Sequence, residues 1–293
     1  MASTLHAPAF SLAHTLESGQ FFRFLPVTGG AFTVHTGRRF FRVEQAGETL
    51  FVDGAPAAFV REFFSLDHDL PSIEDSLRRD PKLRPAIDAH TGLRLIRQDP
   101  WECAAAFILS IASNIPRISG NIADLARTYG GTSTLNGLES PDFPRPHELG
   151  GERDLRRLRL GFRAAYLVQA ARLAKGGILD DAESLPYEEA KDALMVIPGV
   201  AEKVADCILL FAFGHRAAFP VDTWIRKVMI DLYFQGRRTP DRAIRAFAQE
   251  RWGGLAGYAQ QHLYHWSRKT AATVRRLRAM QEPPRLRAST SLP

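Results

Sequence analysis

The stretch Leu194–Cys207, LMVIPGVAEKVADC, constrains this 293-residue chain more than any other. An apolar helix end meets Pro198-Gly199, and a second apolar helix starts at once. Proline cannot supply the next helical N–H, and glycine opens the left-handed backbone region, so the spacing predicts a tight helix-hairpin-helix. The glycine lets another backbone approach closely, and the free N–H groups that open the second helix form a ready site for a phosphate. Hairpins of this kind grip a DNA backbone without reading sequence. An ordinary pair of antiparallel helices has the same outline.

The charge balance points the same way. Lys and Arg total 38 against 32 Asp and Glu, a net charge of +6, which favours a polyanionic partner through counterion release. Arginine-rich codon usage would give the same excess, and with only six lysines each one invites inspection. A 45% hydrophobic and 24% charged composition excludes disordered and collagen-like classes. Two cysteines, Cys103 and Cys207, are too few for a disulfide framework, a four-cysteine zinc site or a cluster held by its own thiolates, so no metal and no cofactor are expected. No apolar run is long enough to span a bilayer and no basic leader opens the chain, giving the expectation of a soluble, intracellular protein: cytoplasm or nucleoid in a bacterium, nucleus in a eukaryote.

Alternating apolar residues between Gly29 and Gly54 predict a small antiparallel meander with Phe32, Val34, Phe41, Val43, Leu50 and Val52 facing one way. Phe59, Phe63 and Phe64 then fit a helix face, and Asp99-Pro100 reads as a helix start. Helical spacing recurs over 100–112, 119–129, 151–175, 186–196, 201–213, 222–234, 240–251 and 255–279. The expected class is α+β, mainly α: an N-terminal antiparallel sheet with flanking helices over 1–98, a helical domain over 99–280, and a disordered tail over 281–293.

The hairpin continues into Phe219-Pro220-Val221-Asp222-Thr223-Trp224, and with that carboxylate the sequence resembles the helix-hairpin-helix-Gly/Pro-Asp superfamily of DNA glycosylases. The resemblance implies that Lys203 is the nucleophile and Asp222 the essential carboxylate. The chemistry suits the residue types. An amine that displaces a base leaves a Schiff base at the sugar C1′, which permits β-elimination of the 3′ phosphate. The amine must first shed its proton, and the positive end of its helix favours that loss. Asp222 would stabilise positive charge on the sugar as the base departs, and it also fits a plain N-cap for a helix starting at Thr223.

Five segments in order across residues 18–264 are similar to the eukaryotic-type 8-oxoguanine DNA glycosylase/AP lyases: Ser18–Arg23, Leu93–Pro100, Leu160–Tyr166, the hairpin, and Ala256–Gln260. The resemblance implies base excision repair of 8-oxoguanine in double-stranded DNA, by a DNA N-glycosylase with AP lyase activity acting as a monomer. It also assigns a base pocket, because an enzyme of this type must extrude its target. Lys203, Cys207 and Phe211 recur every four positions on one helix face, as do Gln260 and Tyr264 on another. Cys207 and Tyr264 would sandwich the purine, Gln260 would read its Watson–Crick edge, and the Gly19 carbonyl would accept the N7 proton that guanine lacks. Read without the resemblance, Cys207 and Phe211 fit core positions, Gln260 and Tyr264 a solvated stripe, and Gly19 a turn.

Phe162 and Arg163 match positions that wedge into the helix and contact the orphaned cytosine, with Arg117 a second candidate. The strip Ala112–Arg117 departs from the family's asparagine-rich run, placing Ala112 at the wedge asparagine unless a one-residue shift brings in Asn114, so the opposite-base preference stays open. Ala201 replaces the hairpin's usual second glycine. Trp224 stands where the family often has a phosphate-contacting histidine, which leaves Arg226 or Lys227 for the phosphate; Gly199 and Ala201 complete the hairpin contacts. The other readings are a related glycosylase for another damaged purine and a non-catalytic helix-hairpin-helix DNA-binding protein.

Overall fold

The computed structural model describes residues 2–281; residues 282–293 of the expected tail lie outside them. Five strands, β1 (Ala2–His6), β2 (Phe24–Pro26), β3 (Ala31–Thr36), β4 (Arg39–Ala46) and β5 (Thr49–Asp53), form one antiparallel sheet in the order β1-β5-β4-β3-β2. The expected meander is its centre. Val34 pairs with Phe41 and Val43 with Val52, and all six alternating residues from Phe32 to Val52 are buried. The two edge strands were not expected. β1 buries only Leu5, too little for a periodic signal, and β2 is a short edge strand ending in Pro26, where a missing N–H costs nothing.

Helices α1 (Leu12–Glu17) and α2 (Ala57–Phe63) flank the sheet, and α3 (Leu70–Arg78) and α4 (Arg84–Ala89) lead toward α5 (Pro100–Leu109) and α6 (Ile115–Tyr129). Every residue of α5 from Trp101 to Leu109 is buried, so this helix is the axis of the helical part. The joint after α6 contains a hairpin, β6 (Thr132–Leu135) and β7 (Leu138–Pro141), turned by Asn136-Gly137 at φ +49° and +80°, a residue pair suited to that backbone. Next come α7 (Glu152–Arg157), α8 (Arg163–Lys175), α9 (Ile178–Glu183), α10 (Tyr187–Met195), α11 (Glu202–Phe211), α12 (Thr223–Tyr233), α13 (Asp241–Trp252) and α14 (Ala256–Gln281).

Two expected boundaries are corrected. The helix read over 151–175 is two helices, broken where Arg159 and Gly161 take φ of about +60° and +62°; Leu155, Leu160 and Ala164 keep their apolar spacing across the break and conceal it. The helix read from 119 starts at Ile115, because Asn114 caps it by accepting the Arg117 N–H at 3.0 Å.

The sheet core draws on residues 5–64 and Ile96, while a second core gathers α3 to α14. Among the described residues no helix is long and apolar enough to cross a membrane. The rear of α14 carries His262 and His265, both buried, with the His265 ring 4.3 Å from that of His90. Burial pushes both His262 and His265 down to about 3, from an ordinary value of 6.5. A histidine whose folded value is depressed contributes stability above the unfolded value and loses it as pH falls toward the folded one. The melting temperature is therefore expected to fall from pH 6.5 toward pH 4, and His262→Leu to make that fall shallower; identical slopes in wild type and variant would contradict this.

Candidate active site

The hairpin of α10 and α11 brings Lys203 to the wall of a cavity. Gly199 takes φ +88°, and a Cβ there would stand 2.6 Å from the Tyr166 ring, so only glycine fits both the turn and the packing. Ala201 is extended, at φ −94° and ψ 176°, so the absent second glycine is not needed. Ala201 gives α11 no side-chain cap, which leaves the first N–H groups of that helix facing outward for an acceptor.

Lys203 lies in the first turn of α11. Its Nζ donates to Ser110 Oγ at 2.9 Å and sits 5.2 Å from the centre of the Phe107 ring. Ser110 in turn donates to the Phe107 carbonyl, which leaves its lone pairs for the lysine. Sequence reading passed over Ser110, a residue distant in the chain with no spacing signal linking it to Lys203. Asp222 is the N-cap of α12, accepting the Ile225 N–H at 2.8 Å. Burial pushes its carboxyl above the usual carboxylate range, against the opposing pull of that N–H and of the Lys203 charge. The cap and the electrostatic role are therefore compatible in one side chain.

A cavity of about 1020 Å³ opens between these helices and α14, large enough for a purine nucleoside. Gly19, Lys203, Cys207, Asp222, Gln260 and Tyr264 all line it, although they come from four separate parts of the chain. Phe211 lines it too, its ring stacked on Phe107 at 5.5 Å. Burial raises the Cys207 thiol to about 12, so it is a neutral, polarisable packing surface rather than a second nucleophile. Gln260 donates to the Pro220 carbonyl at 3.3 Å, while its buried Oε1 has no partner among the described residues. A buried unpaired amide oxygen costs stability unless something that binds there satisfies it. Gly19 has φ +85°, and a Cβ would press on Arg268, Ile115 and Tyr264.

The DNA-facing assignments divide. Asn114, Gly199, Ala201 and Arg226 border the cavity, whereas Arg117, Phe162 and Arg163 do not. Phe162 is 47% exposed, and its ring lies 5.9 Å from that of Tyr166, on which the hairpin glycine packs, a placement open to a wedge. Arg117 is exposed, its guanidinium making a long contact of 3.4 Å to the Arg159 carbonyl. Arg163 is 2% exposed, and its guanidinium donates to the Ile111 and Ala112 carbonyls at 2.6 Å each, bracing the turn after α5. Arg226 forms a two-point ion pair with Asp241 at 2.7 and 2.8 Å; neighbouring Lys227 is exposed. Asn114 spends its side-chain oxygen on capping α6, leaving only the amide NH2 for a partner.

A phosphate-ready hairpin, a lysine and a half-buried carboxylate lining a purine-sized cavity define a DNA glycosylase of the helix-hairpin-helix class. Residues 4–104 match the family model described as 8-oxoguanine DNA glycosylase, N-terminal domain. The chain is 33% identical to the "Probable N-glycosylase/DNA lyase" of Methanothermobacter thermautotrophicus over 75% of its own length and 78% of that relative's. It is similar to the structure of MBOgg1 in complex with a low-affinity DNA ligand, with a TM-score of 0.89 and 34% identity over 92% of this chain and 96% of that one. It is also similar to the Clostridium acetobutylicum 8-oxoguanine glycosylase/lyase in complex with double-stranded DNA containing cytosine opposite 8-oxoG, with a TM-score of 0.87 and 30% identity over 92% and 98% of the two chains. The chain belongs to the N-glycosylase/DNA lyase family, the 8-oxoguanine DNA glycosylases.

Proposed function

We propose that this protein flips 8-oxoguanine out of double-stranded DNA, removes it, and nicks the strand by β-elimination. The observation that carries the reading is the convergence of Lys203, Asp222, Gln260 and Gly19 on one cavity beside the hairpin. The neutral Lys203 amine attacks C1′ of the lesion nucleotide as the C1′–N9 bond breaks; the bonding pair leaves with the base, which takes up a proton. The C1′–O4′ bond then breaks, O4′ taking up the second amine proton, to give the Schiff base, after which a C2′ proton is removed and the C3′–O bond breaks, releasing the 3′ phosphate. Asp222, when ionised, stabilises the positive charge that builds on the sugar.

In the pocket, Cys207 and Tyr264 take the two faces of the purine, with Phe211 backing the wall. The unpaired Gln260 Oε1 accepts from its Watson–Crick edge, and the Gly19 carbonyl accepts the N7 proton. Outside it, Gly199 and Ala201 hold a phosphate at the hairpin, Phe162 fills the vacated stack, and Arg117 with the Asn114 amide faces the orphaned base. We place the working division of the chain at 1–98 and 99–280, with the sheet core drawn from residues 5–64 and Ile96 while α3 and α4 pack into the core of the helical part, and read the protein as an intracellular monomer.

The test is incubation with duplexes carrying 8-oxoguanine or guanine opposite each of the four bases, scoring base release and strand cleavage separately. Release and cleavage at 8-oxoguanine with guanine left intact is the expected result. Binding without any release would contradict the proposal and favour a non-catalytic DNA-binding protein.

A further inference from the structure

Three consecutive carbonyls run past the base pocket at Ser18, Gly19 and Gln20, and the protein treats them differently. The Ser18 carbonyl accepts from Gln261 Nε2 at 3.2 Å and from Arg268 Nη1 at 3.3 Å, both on α14. The Gln20 carbonyl accepts from Gln98 Nε2 at 2.7 Å. Among the described residues nothing donates to the carbonyl of Gly19, which lines the cavity between them.

The anchors are themselves held. Gln261 is 1% exposed and Gln98 5%, so neither has water to satisfy it in place of these carbonyls. The Arg268 guanidinium lies 5.2 Å from the centre of the Tyr264 ring, which ties the same strut to the aromatic wall of the pocket. A glycine at φ +85° has the freest backbone in the segment, and its peptide planes would otherwise rotate.

We propose that Gln261 and Arg268 are specificity-positioning residues: by fixing the Ser18 carbonyl, while Gln98 fixes that of Gln20, they aim the Gly19 carbonyl at the one proton that separates oxidised from normal guanine. This rests on the reading of the pocket given above and deepens it. An acceptor discriminates only if it is held where the proton will be, since a carbonyl free to turn toward water pays no penalty when guanine presents none. Both residues also line the cavity, and on this reading they act through Gly19.

The test compares wild type with Gln261→Leu, similar in size but without a donor, on three substrates under single turnover: an 8-oxoguanine duplex, a guanine duplex and a preformed abasic site. The abasic site has no base to read. The expected result is a loss of about tenfold in 8-oxoguanine excision, the scale of one hydrogen bond, with guanine excision not reduced and abasic-site cleavage retained. Equal losses on the 8-oxoguanine and abasic substrates, or an unchanged ratio of 8-oxoguanine to guanine excision, would overturn the proposal. Arg268→Leu, which removes the other donor to the same carbonyl, is expected to give the same pattern if Gln261→Leu does not fold. Wild-type protein that fails to excise 8-oxoguanine would instead overturn the functional reading beneath it.

Discussion

Lys203→Gln is expected to bind an 8-oxoguanine duplex almost as tightly as wild type and to lose roughly 10³-fold or more in both base excision and strand cleavage, the scale seen when a covalent nucleophile is removed. The fold has little reason to change. Lys203 is half-buried, its amine donates to Ser110 Oγ, and the glutamine amide can donate to the same hydroxyl. Hairpin contact with the phosphate comes from backbone N–H groups, which the substitution leaves alone. Single-turnover kinetics with a parallel binding titration separate the two effects. Retained base excision with lost nicking would mean that water, not the amine, displaces the base, and would restrict Lys203 to the lyase step.

Asp222→Asn separates a structural from a chemical role in one side chain. Asparagine caps a helix about as well as aspartate, so the bond to the Ile225 N–H survives. Burial raises the Asp222 carboxyl, and a folded value above the unfolded one means that ionisation there opposes folding as pH rises through that value. The variant should therefore melt at the same temperature as wild type or higher near neutral pH. Excision should nevertheless fall by about 10²-fold or more, because the charge facing the developing oxocarbenium ion is gone. Wild-type excision should also decline as pH drops and the carboxylate takes up its proton, a contribution to the acid limb that the variant lacks. A variant that melts much lower, with activity lost only in proportion to unfolded protein, would make Asp222 a cap alone.

The parts legible in the sequence were those written in local spacing. Lys203, Cys207 and Phe211 share one helix face, and the six alternating apolar residues from Phe32 to Val52 share one sheet face, because a period of 3.6 or 2 fixes which side chains lie together. Fold class followed from the same periods. What spacing cannot show is which long-range partner a polar side chain finds. Arg163 braces carbonyls some fifty residues away in the chain, and Ser110 reaches Lys203 across two helices. Arg226 has its partner in Asp241 from the next helix, a pairing set by how α12 and α13 cross. Short edge strands were silent for a different reason: β1 buries one residue, and one residue has no period.

The most direct measurement is mass spectrometry of the protein after borohydride reduction during turnover on an 8-oxoguanine duplex. The mechanism predicts a covalent protein–DNA adduct whose modified peptide carries the sugar remnant on Lys203. No adduct under conditions where the base is released, or an adduct carried by another lysine such as Lys227, would contradict it.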